Sequence, residues 1–437
     1  MNIALVSYRF PPDKGGGGIG SYSSKLARAL TKRGHRVHVV CHTNPEDGPE
    51  QDLVDEGVYV HRVREPAWTK NFPPLKVLAY RWRVREKVFE IDNSLCSPVP
   101  QYTGSPEKAF TGARGHGGTG APTCTKRSRG GRLDIVEVPN WIFEGLFLMW
   151  GKRPFPVVCR LHTPLLEHFF QCGNKLNLAF RVLGWLEKIA VSRADALVTS
   201  SGFYADRMAK FYGVKREKIS VVPLGVEIGR IDNCSNEISL IASRSSIFDK
   251  TVSILFIGRL EKRKGIEYLL KAVPDVLERC PQARFIFAGK DEAGIHKSYF
   301  DKLSGGRFHD SVEFLGCVSD ERLEDLYRTC EVLCVPSVSE SFGLVFVEAM
   351  SRGKPVVACD VCAVGEVIAH GQNGLLVPPR DSKSIVSALV ELINDPVKRR
   401  RMGESGRRMC EEKFSDSAMA ERTERFYQMV SEDGNLF

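Results

Sequence analysis

The chain lacks several features that would assign it to common protein classes. No apolar run approaches the roughly 18 residues of a membrane-spanning helix, so no spanning segment is expected. The apolar start, IALVSY, stops at Pro11-Pro12 without a cationic lead or a long hydrophobic core, so it predicts a first strand rather than a signal peptide. The 13 cysteines are an odd, scattered set, which favours buried free thiols in the reducing cytoplasm. The lone CxxC pair, Cys359 and Cys362, leaves a metal or redox site as the weaker alternative.

Two catalytic signatures are also missing. The glycine-rich stretch PPDKGGGGIG is not a clean GxGxxG, and no acidic residue follows the second strand at Cys41, so a dinucleotide fingerprint is excluded. No DxD-like cluster of acids stands at a strand end, and we therefore predict no catalytic metal. The net charge of +9 suits phosphate ligands, anionic membrane surfaces or nucleic acid without choosing among them.

What the sequence does contain is strands that alternate with helices. At 437 residues the chain is too long for one core. Buried strands are predicted at 2–7, 37–41, 58–63, 134–138, 157–161, 196–199 and 219–222, and again at 253–257, 284–288, 312–315, 332–335, 355–358 and 375–377. The polar stretch 227–250 reads as a linker. The prediction is an α/β fold of two doubly wound parallel sheets that face each other across a cleft, with domains at 1–225 and 226–410 and a terminal segment at 411–437.

Residues 92–132 break this pattern. They are rich in Gly, Pro, Ser and Thr and have no apolar periodicity, where a short helix-to-strand link is expected. Structureless loops of about 40 residues are uncommon within compact domains. We interpret the segment as a disordered insertion or a frame-shifted stretch and assign it no function.

The stretch PSVSESFGLVFVEAM, residues 336–350, predicts a strand, a polar turn and a helix. Glu340 precedes the helix and Glu348 lies inside it. The backbone N–H groups of Gly343 and Leu344 are then free at a helix N-terminus, which is an anion site. Carboxylates beside a phosphate site suggest that they bind hydroxyls, as a phosphorylated or nucleotide-linked sugar would require. The alternative is a strand–turn–helix with solvated glutamates.

Three further groups point to the same cleft. Arg259 and Lys264 follow a strand and supply the cations that a diphosphate needs, although a surface basic run would look alike. His162 stands at the carboxyl end of a strand, where open α/β sheets bind ligands; a core or capping histidine is the alternative. Gly17 and Gly18 belong to the glycine-rich loop, which lets a backbone approach a ligand or is merely flexible.

Residues 75–89 predict a strongly basic helix with aromatic neighbours at Trp68, Phe72, Tyr80 and Trp82. Such a helix suits a membrane surface or an acceptor. A solvated helix face is the alternative.

Several motifs together resemble the retaining glycosyltransferases of family 4. They are GGGGIGSYSSKLARAL, RLHTP, VVPLGVE, GRLEKRKGIEYLL, SESFGLVFVEAM, GKPVVA and GLLVPP, which cover nearly the whole chain except 92–132. The resemblance implies the GT-B fold, with two Rossmann-like domains, and a nucleotide-diphosphate sugar as donor. It further implies a terminal helix at 415–430 that crosses back to the first domain.

The resemblance also implies roles by position. Arg259 and Lys264 would hold the diphosphate, Glu340 would contact the transferred sugar, and Glu348 would bind the ribose. His162 would lie beside the donor sugar. The remaining donor-site residues would be backbone groups near the phosphates and the closing glycine loop: Ser341, Phe342, Gly343, Leu344, Gly17 and Gly18.

These roles predict a metal-independent, front-face retaining transfer, because no carboxylate pair for double displacement is evident. The acceptor would be a glycan, a lipid-linked sugar or a small molecule, with peripheral membrane contact, no cofactor and no nucleic acid. Two alternatives stay open. One is another enzyme on this scaffold, such as a sugar-nucleotide epimerase or a phosphorylase, although we find no cofactor lysine for the latter. The other is a non-catalytic sugar-nucleotide binder.

Overall fold

The computed structural model of the protein describes residues 1–11, 17–43, 51–64, 73–96, 132–141, 144–171, 178–228 and 251–432. Within these ranges two sheets of mainly parallel strands form, each covered by helices. We call the sheets with their helices the first lobe and the second lobe.

The first lobe has an eight-stranded sheet in the order β3-β4-β2-β1-β5-β6-β7-β8. Its strands are β1 (Asn2–Ser7), β2 (Arg36–His42), β3 (Gln51–Asp55), β4 (Val58–Val63), β5 (Ile135–Pro139), β6 (Val157–Leu161), β7 (Ala196–Thr199) and β8 (Ile219–Val221). All pairs are parallel except β3 with β4. Since β1 lies between β2 and β5, the strand order reverses there, and a ligand crevice is expected at the carboxyl ends of these strands.

The helices of the first lobe cover both faces of the sheet. They are α1 (Gly17–Lys32), α2 (Pro73–Cys96), α3 (Leu165–Gln171), α4 (Leu178–Ser192) and α5 (Gly202–Tyr212). Alternate residues of β1 serve opposite sides: Ile3 and Leu5 pack with α1, whereas Ala4 and Val6 pack on the side of α2, α4 and α5. Burial on both faces explains why the strands are nearly continuous apolar runs.

The second lobe has a six-stranded parallel sheet in the order β11-β10-β9-β12-β13-β14. Its strands are β9 (Val252–Ile257), β10 (Ala283–Ala288), β11 (Val312–Gly316), β12 (Val332–Val335), β13 (Val356–Cys359) and β14 (Gly374–Val377). The helices are α6 (Ile266–Arg279), α7 (Ile295–Ser304), α8 (Asp320–Thr329), α9 (Leu344–Ser351), α10 (Val364–Val367), α11 (Ser382–Asn394), α12 (Pro396–Lys413) and α13 (Asp416–Glu432).

The last helix, α13, returns to the first lobe. The Tyr427 hydroxyl donates to Glu137 on β5 at 2.8 Å. Glu424 accepts from Arg33 at 2.6 Å and lies 3.3 Å from His35, just beyond α1. The chain therefore ends its described part against the lobe in which it began.

Three predictions about elements need correction. The edge strand β3 was not predicted, because its QDLVD sequence carries little apolar signal. Helix α1 begins at Gly17, so Gly17 and Gly18 form its first turn instead of a loop. Helix α2 continues to Cys96, so the predicted irregular segment is helical at its start; residues 97–131 lie outside the described residues.

The two ends of that segment meet. Asp92 Oδ1 accepts the Leu133 backbone N–H at 2.8 Å, and Arg132 Nε lies 3.3 Å from Cys96 Sγ. Cys96 and Arg132, which border the undescribed stretch 97–131, therefore lie side by side.

The basic helix and the cysteines have mixed outcomes. In α2, Tyr80 and Arg81 are buried while Trp82 is exposed, so only part of the predicted aromatic and basic set reaches the surface; Trp68 and Phe72 lie outside the described residues. No helix in the described ranges has both the length and the apolarity to cross a bilayer. The described cysteines are free thiols and most are buried, as predicted.

Candidate active site

In the second lobe, the loop that follows β9 packs closely against the loop that follows β12. Gly265 has φ +69°, and a Cβ there would lie 1.8 Å from the Pro336 carbonyl oxygen. The Val338 backbone N–H donates to the Arg263 carbonyl at 2.9 Å. Only glycine allows this approach, which brings the side chains of the two loops into contact.

The contact that results is an ion pair between Lys264 and Glu340. Lys264 Nζ donates to Glu340 Oε2 at 2.6 Å, and both side chains are about nine-tenths buried. Burial acts to raise the pKa of Glu340, but the Lys264 ammonium and the hydrogen bonds around the carboxylate outweigh it, so the pKa lies below its usual range. Glu340 is therefore ionised at neutral pH. Since an ammonium has three donors, Lys264 retains capacity for a phosphate oxygen.

Helix α9 begins beside this pair. Gly343 has φ +88°, and a Cβ there would lie 2.4 Å from the Phe346 ring, so glycine sets the angle at which the helix starts. The first N–H groups of a helix have no intrahelical acceptor and favour an anion; here they begin at Leu344. The Phe342 side chain packs against Phe414 in the core, so only its backbone is available to a ligand.

Glu348 lies one turn further along α9 and is held from both lobes. Tyr327 on α8 donates its hydroxyl to Oε2 at 2.8 Å, and Lys25 on α1 donates to Oε1 at 3.0 Å. The predicted ribose ligand is thus half-buried and paired across the cleft. Sequence reasoning did not identify Lys25, which stands three hundred residues away in an ordinary helix.

Arg259 lies on the same loop after β9 as Lys264, and its side chain is less constrained. Its side chain is 60% exposed and lies 3.5 Å from Glu261. A long, exposed guanidinium on the loop after β9 can reorient toward a phosphate, as its predicted role requires.

His162 lies in the first lobe, immediately after β6. Its backbone N–H donates to Asn140 Oδ1 at 2.7 Å, and its ring meets the Tyr22 ring edge-on at 6.1 Å between centroids. Burial, reinforced by the nearby Arg160 guanidinium, lowers the pKa of His162 to about 4. The imidazole is therefore neutral at pH 7 and can exchange hydrogen bonds with a sugar hydroxyl.

A buried charge network lies behind His162. Arg160 on β6 donates to both oxygens of Glu137 at 2.9 and 3.1 Å. Tyr22 and Tyr427 each donate a hydroxyl to the same carboxylate at 2.8 Å. The Arg160 guanidinium also lies 4.6 Å from the centre of the Tyr22 ring. Glu137 therefore receives donors from three different elements.

A second network holds the loop that carries His162. Asn140 Nδ2 donates to Glu187 at 2.9 Å, and the Leu165 backbone N–H donates to Glu187 at 3.1 Å. Tyr212 donates to the same carboxylate at 2.5 Å. Burial raises the pKa of Glu187 to about 6, against these hydrogen bonds. Sequence reasoning identified neither network.

Helix α1 joins the two sides of the cleft. Tyr22, which touches His162, and Lys25, which pairs with Glu348, are three residues apart and so lie on one face of α1. A second contact across the lobes is made by Glu366, whose carboxylate accepts the backbone N–H groups of Gly202 and Phe203 at 2.9 and 2.7 Å. The structure thus brings Lys264, Glu340, Glu348 and His162 to facing edges of the two sheets.

The glycine-rich segment is only partly described. Gly17 and Gly18 stand at the start of α1, and a Cβ at Gly18 would meet nothing within 4 Å. Their predicted role as a closing loop remains a prediction. In the ranges that the structure describes, no group of three or more His, Cys, Asp or Glu side chains is placed to hold a metal ion.

Comparisons with known proteins identify the family of this chain. The model of the family described as glycosyl transferases group 1 matches residues 239–409, and that of the glycosyl transferase 4-like domain matches residues 17–225. A relative, the MMP alpha-(1->4)-mannosyltransferase of Mycolicibacterium hassiacum, is 30% identical over 98% of both chains.

Solved structures share the fold. Sucrose-phosphate synthase of Thermosynechococcus elongatus superposes with a TM-score of 0.74 at 19% identity, over 98% of this chain and 99% of that one. The Anabaena protein Alr3699/HepE, solved in complex with UDP-glucose, has a TM-score of 0.65 at 18% identity, over 98% of this chain and 100% of that one.

The two facing parallel sheets are thus those of a GT-B glycosyltransferase, as predicted. The chain belongs to the glycosyl transferase group 1 family, family 4, whose members transfer a sugar from a nucleotide-sugar donor.

Proposed function

We propose that this enzyme transfers a hexose from a nucleoside diphosphate sugar to an acceptor hydroxyl with retention of anomeric configuration. The buried Lys264–Glu340 pair, at 2.6 Å beside the N-terminus of α9, carries this proposal. It places a cation and helix N–H donors where a diphosphate would develop charge on leaving, and electrostatic stabilisation of that kind is often the largest catalytic contribution.

Each charged group has a role in this proposal. Lys264, Arg259 and the backbone N–H groups of Gly343 and Leu344 bind the diphosphate. Glu340, ionised and fixed by Lys264, accepts from hydroxyls of the transferred sugar. Glu348 binds the ribose hydroxyls, with Tyr327 fixing one of its oxygens. His162, neutral at pH 7, faces the sugar from the first lobe.

The transfer follows a front-face course. The bond between the sugar C1 and the β-phosphate oxygen breaks, and the acceptor oxygen bonds to C1 on the same face. The acceptor's proton passes to the β-phosphate oxygen that leaves. A double displacement would need a free carboxylate as nucleophile about 5 Å from a second carboxyl group, whereas Glu340 is tied to Lys264 and Glu348 to Lys25 and Tyr327. The acceptor is proposed to be a glycan, a lipid-linked sugar or a small molecule.

The test begins with a thermal-shift panel of nucleoside diphosphate hexoses, since a ligand at about 100 times its dissociation constant adds roughly 2.7 kcal/mol to stability. The donor that binds is then offered to acceptor glycans and glycolipids, with release of the nucleoside diphosphate followed and the product's anomeric configuration read by proton NMR. An inverted product would contradict the front-face course. A donor that is isomerised without acceptor would indicate an epimerase, and binding without any turnover would indicate a non-catalytic protein.

A further inference from the structure

Three tryptophan side chains are exposed on the outer surface of the first lobe, on one side of its sheet. Trp82 on α2, Trp150 between β5 and β6, and Trp185 on α4 are exposed; the exposed fractions of Trp150 and Trp185 are 53% and 61%. Helices α2 and α4 pack on the same face of the first sheet. We call the surface formed by Trp82, Trp150, Trp185 and the outer side of α4 the tryptophan face.

One part of the tryptophan face is a groove of about 400 Å³. It is lined by Trp82, Arg85, Phe147 and Trp150. Two guanidinium groups lie against its rings: Arg85 is 5.3 Å from the centre of Trp82, and Arg193 is 4.2 Å from the centre of Trp150. Rings that are apolar on one side and flanked by cations are typical of the boundary between water and lipid.

The other part is helix α4. Leu178, Val182 and Trp185 are exposed and follow the i, i+4, i+7 spacing of one helical stripe. Arg193, which stacks on Trp150, directly follows the helix, so Trp185 lies about 12 Å from it along the axis. The helix that carries the stripe is therefore followed directly by a side chain that borders the groove.

The exposed charged side chains of α4 have one sign. Arg181 and Lys188 are exposed on α4, and the single acidic residue of that helix, Glu187, is buried and used in the network beneath. Glu86 is the acidic neighbour at the Trp82 end, where it accepts from Trp82 and Arg83. Exposed apolar residues bordered by Lys and Arg are the pattern of helices that lie in a membrane interface.

We infer that the tryptophan face docks on an anionic lipid surface. Charge complementarity favours lipid over a second copy of the chain, because a symmetric dimer through this face would oppose Arg181, Lys188 and Arg193 with themselves. Leu165, at the start of α3 and three residues after His162, donates to Glu187 on α4, so docking would hold the His162 side of the first lobe near the lipid. The exposure and charge of the tryptophan face support this docking, and they do not depend on the transfer reaction.

The test is co-sedimentation of the full chain with vesicles of phosphatidylglycerol and phosphatidylcholine, and with phosphatidylcholine vesicles alone. We expect binding to the anionic vesicles that weakens with salt, together with a blue shift of tryptophan fluorescence. The double variant Trp150→Ser/Trp185→Ser should lose at least tenfold in affinity. A matched control, Ile295→Ser/Val397→Ser, removes two comparably exposed apolar side chains from the second lobe and should bind as the wild type does.

A second variant keeps the inference testable if the first folds poorly. Arg181→Glu/Lys188→Glu should weaken anionic binding more than tenfold, because each basic side chain near such a surface strengthens binding about fivefold. Absence of wild-type binding to anionic vesicles would overturn the inference, as would unchanged binding by both variants. A wild-type dimer in sedimentation velocity that the tryptophan variant dissociates would assign the face to a second copy instead.

Discussion

The two sides of the cleft are held by different means. In the second lobe, Gly265 and Gly343 fix the loops by backbone contact, and the functional side chains then meet directly, as Lys264 and Glu340 do. In the first lobe, His162 lies in front of two networks of buried charged side chains, built from Glu137, Arg160 and Glu187.

The difference separates two tasks. In the proposed reaction the second lobe presents ionised groups to a diphosphate, and Lys264 keeps the pKa of Glu340 below its usual range. The first lobe presents a neutral imidazole, and burial beside Arg160 keeps it so. Four experiments test this comparison, from the largest expected effect to the smallest.

Breaking the buried ion pair between Arg160 and Glu137 in the first lobe should give the largest loss of stability. Arg160→Leu leaves Glu137 buried without its cation, and we expect a loss of about 3–5 kcal/mol in urea unfolding. Arg425→Leu is the control, since its pair with Glu421 on α13 is exposed on both sides and should be worth about 1 kcal/mol or less. Equal losses in free energy of unfolding for the two variants would show that the buried Arg160–Glu137 pair stabilises the fold no more than an exposed pair does.

Removing the cation of the second lobe should abolish most turnover while the fold remains. Lys264→Ala is expected to reduce kcat by about 10²- to 10³-fold, the range found when one preorganised donor to developing charge is lost. Lys262→Ala, an exposed lysine of the same short turn, should retain nearly normal turnover. Near-normal activity in a folded Lys264→Ala enzyme would refute the leaving-group role.

The pH dependence of stability should reveal a buried carboxyl in the first lobe. Burial raises the pKa of Glu144 to about 8, although Arg81 opposes the shift, so the folded state keeps a proton that the unfolded chain releases near 4.5. The stabilisation that the folded state gains by keeping Glu144 protonated is therefore lost as pH rises from about 4.5 to 8.

Glu144→Gln removes that ionisation. The variant should gain stability relative to the wild type by up to about 1 kcal/mol per pH unit across that window, measured as urea midpoints at pH 5, 6, 7 and 8. Glu217→Gln, at an exposed position, controls for the loss of a carboxylate. A constant difference between wild type and Glu144→Gln would show that Glu144 ionises normally.

The smallest effect is expected where the last helix meets the network. Tyr427→Phe deletes one hydrogen bond to Glu137 and should cost about 1 kcal/mol. Tyr22→Phe deletes another to the same carboxylate, so the double variant should depart from additivity by more than about 0.5 kcal/mol. Strict additivity would show that the two hydroxyls act independently.

The same contrast explains what could be predicted from the sequence. Lys264, Glu340 and Glu348 lie in contiguous motifs whose turns are set by local glycines, so their placement followed from neighbouring residues. Most strand positions also followed, because continuous apolar runs flanked by turn residues mark buried parallel strands.

The first lobe's networks could not be predicted in this way. Glu137 and Arg160 are 23 residues apart, and Glu137 and Tyr427 are 290 apart. Nothing in their local patterns pairs them, since only the order of strands and the return of α13 bring them together. Lys25 opposite Glu348, 323 residues away, is the same case.

Cys96 and Arg132 lie side by side, so a short turn could join α2 to β5 in place of residues 97–131. The junction would equally accept a fluorescent reporter whose own termini are adjacent, making it an attachment point on the lobe that holds His162.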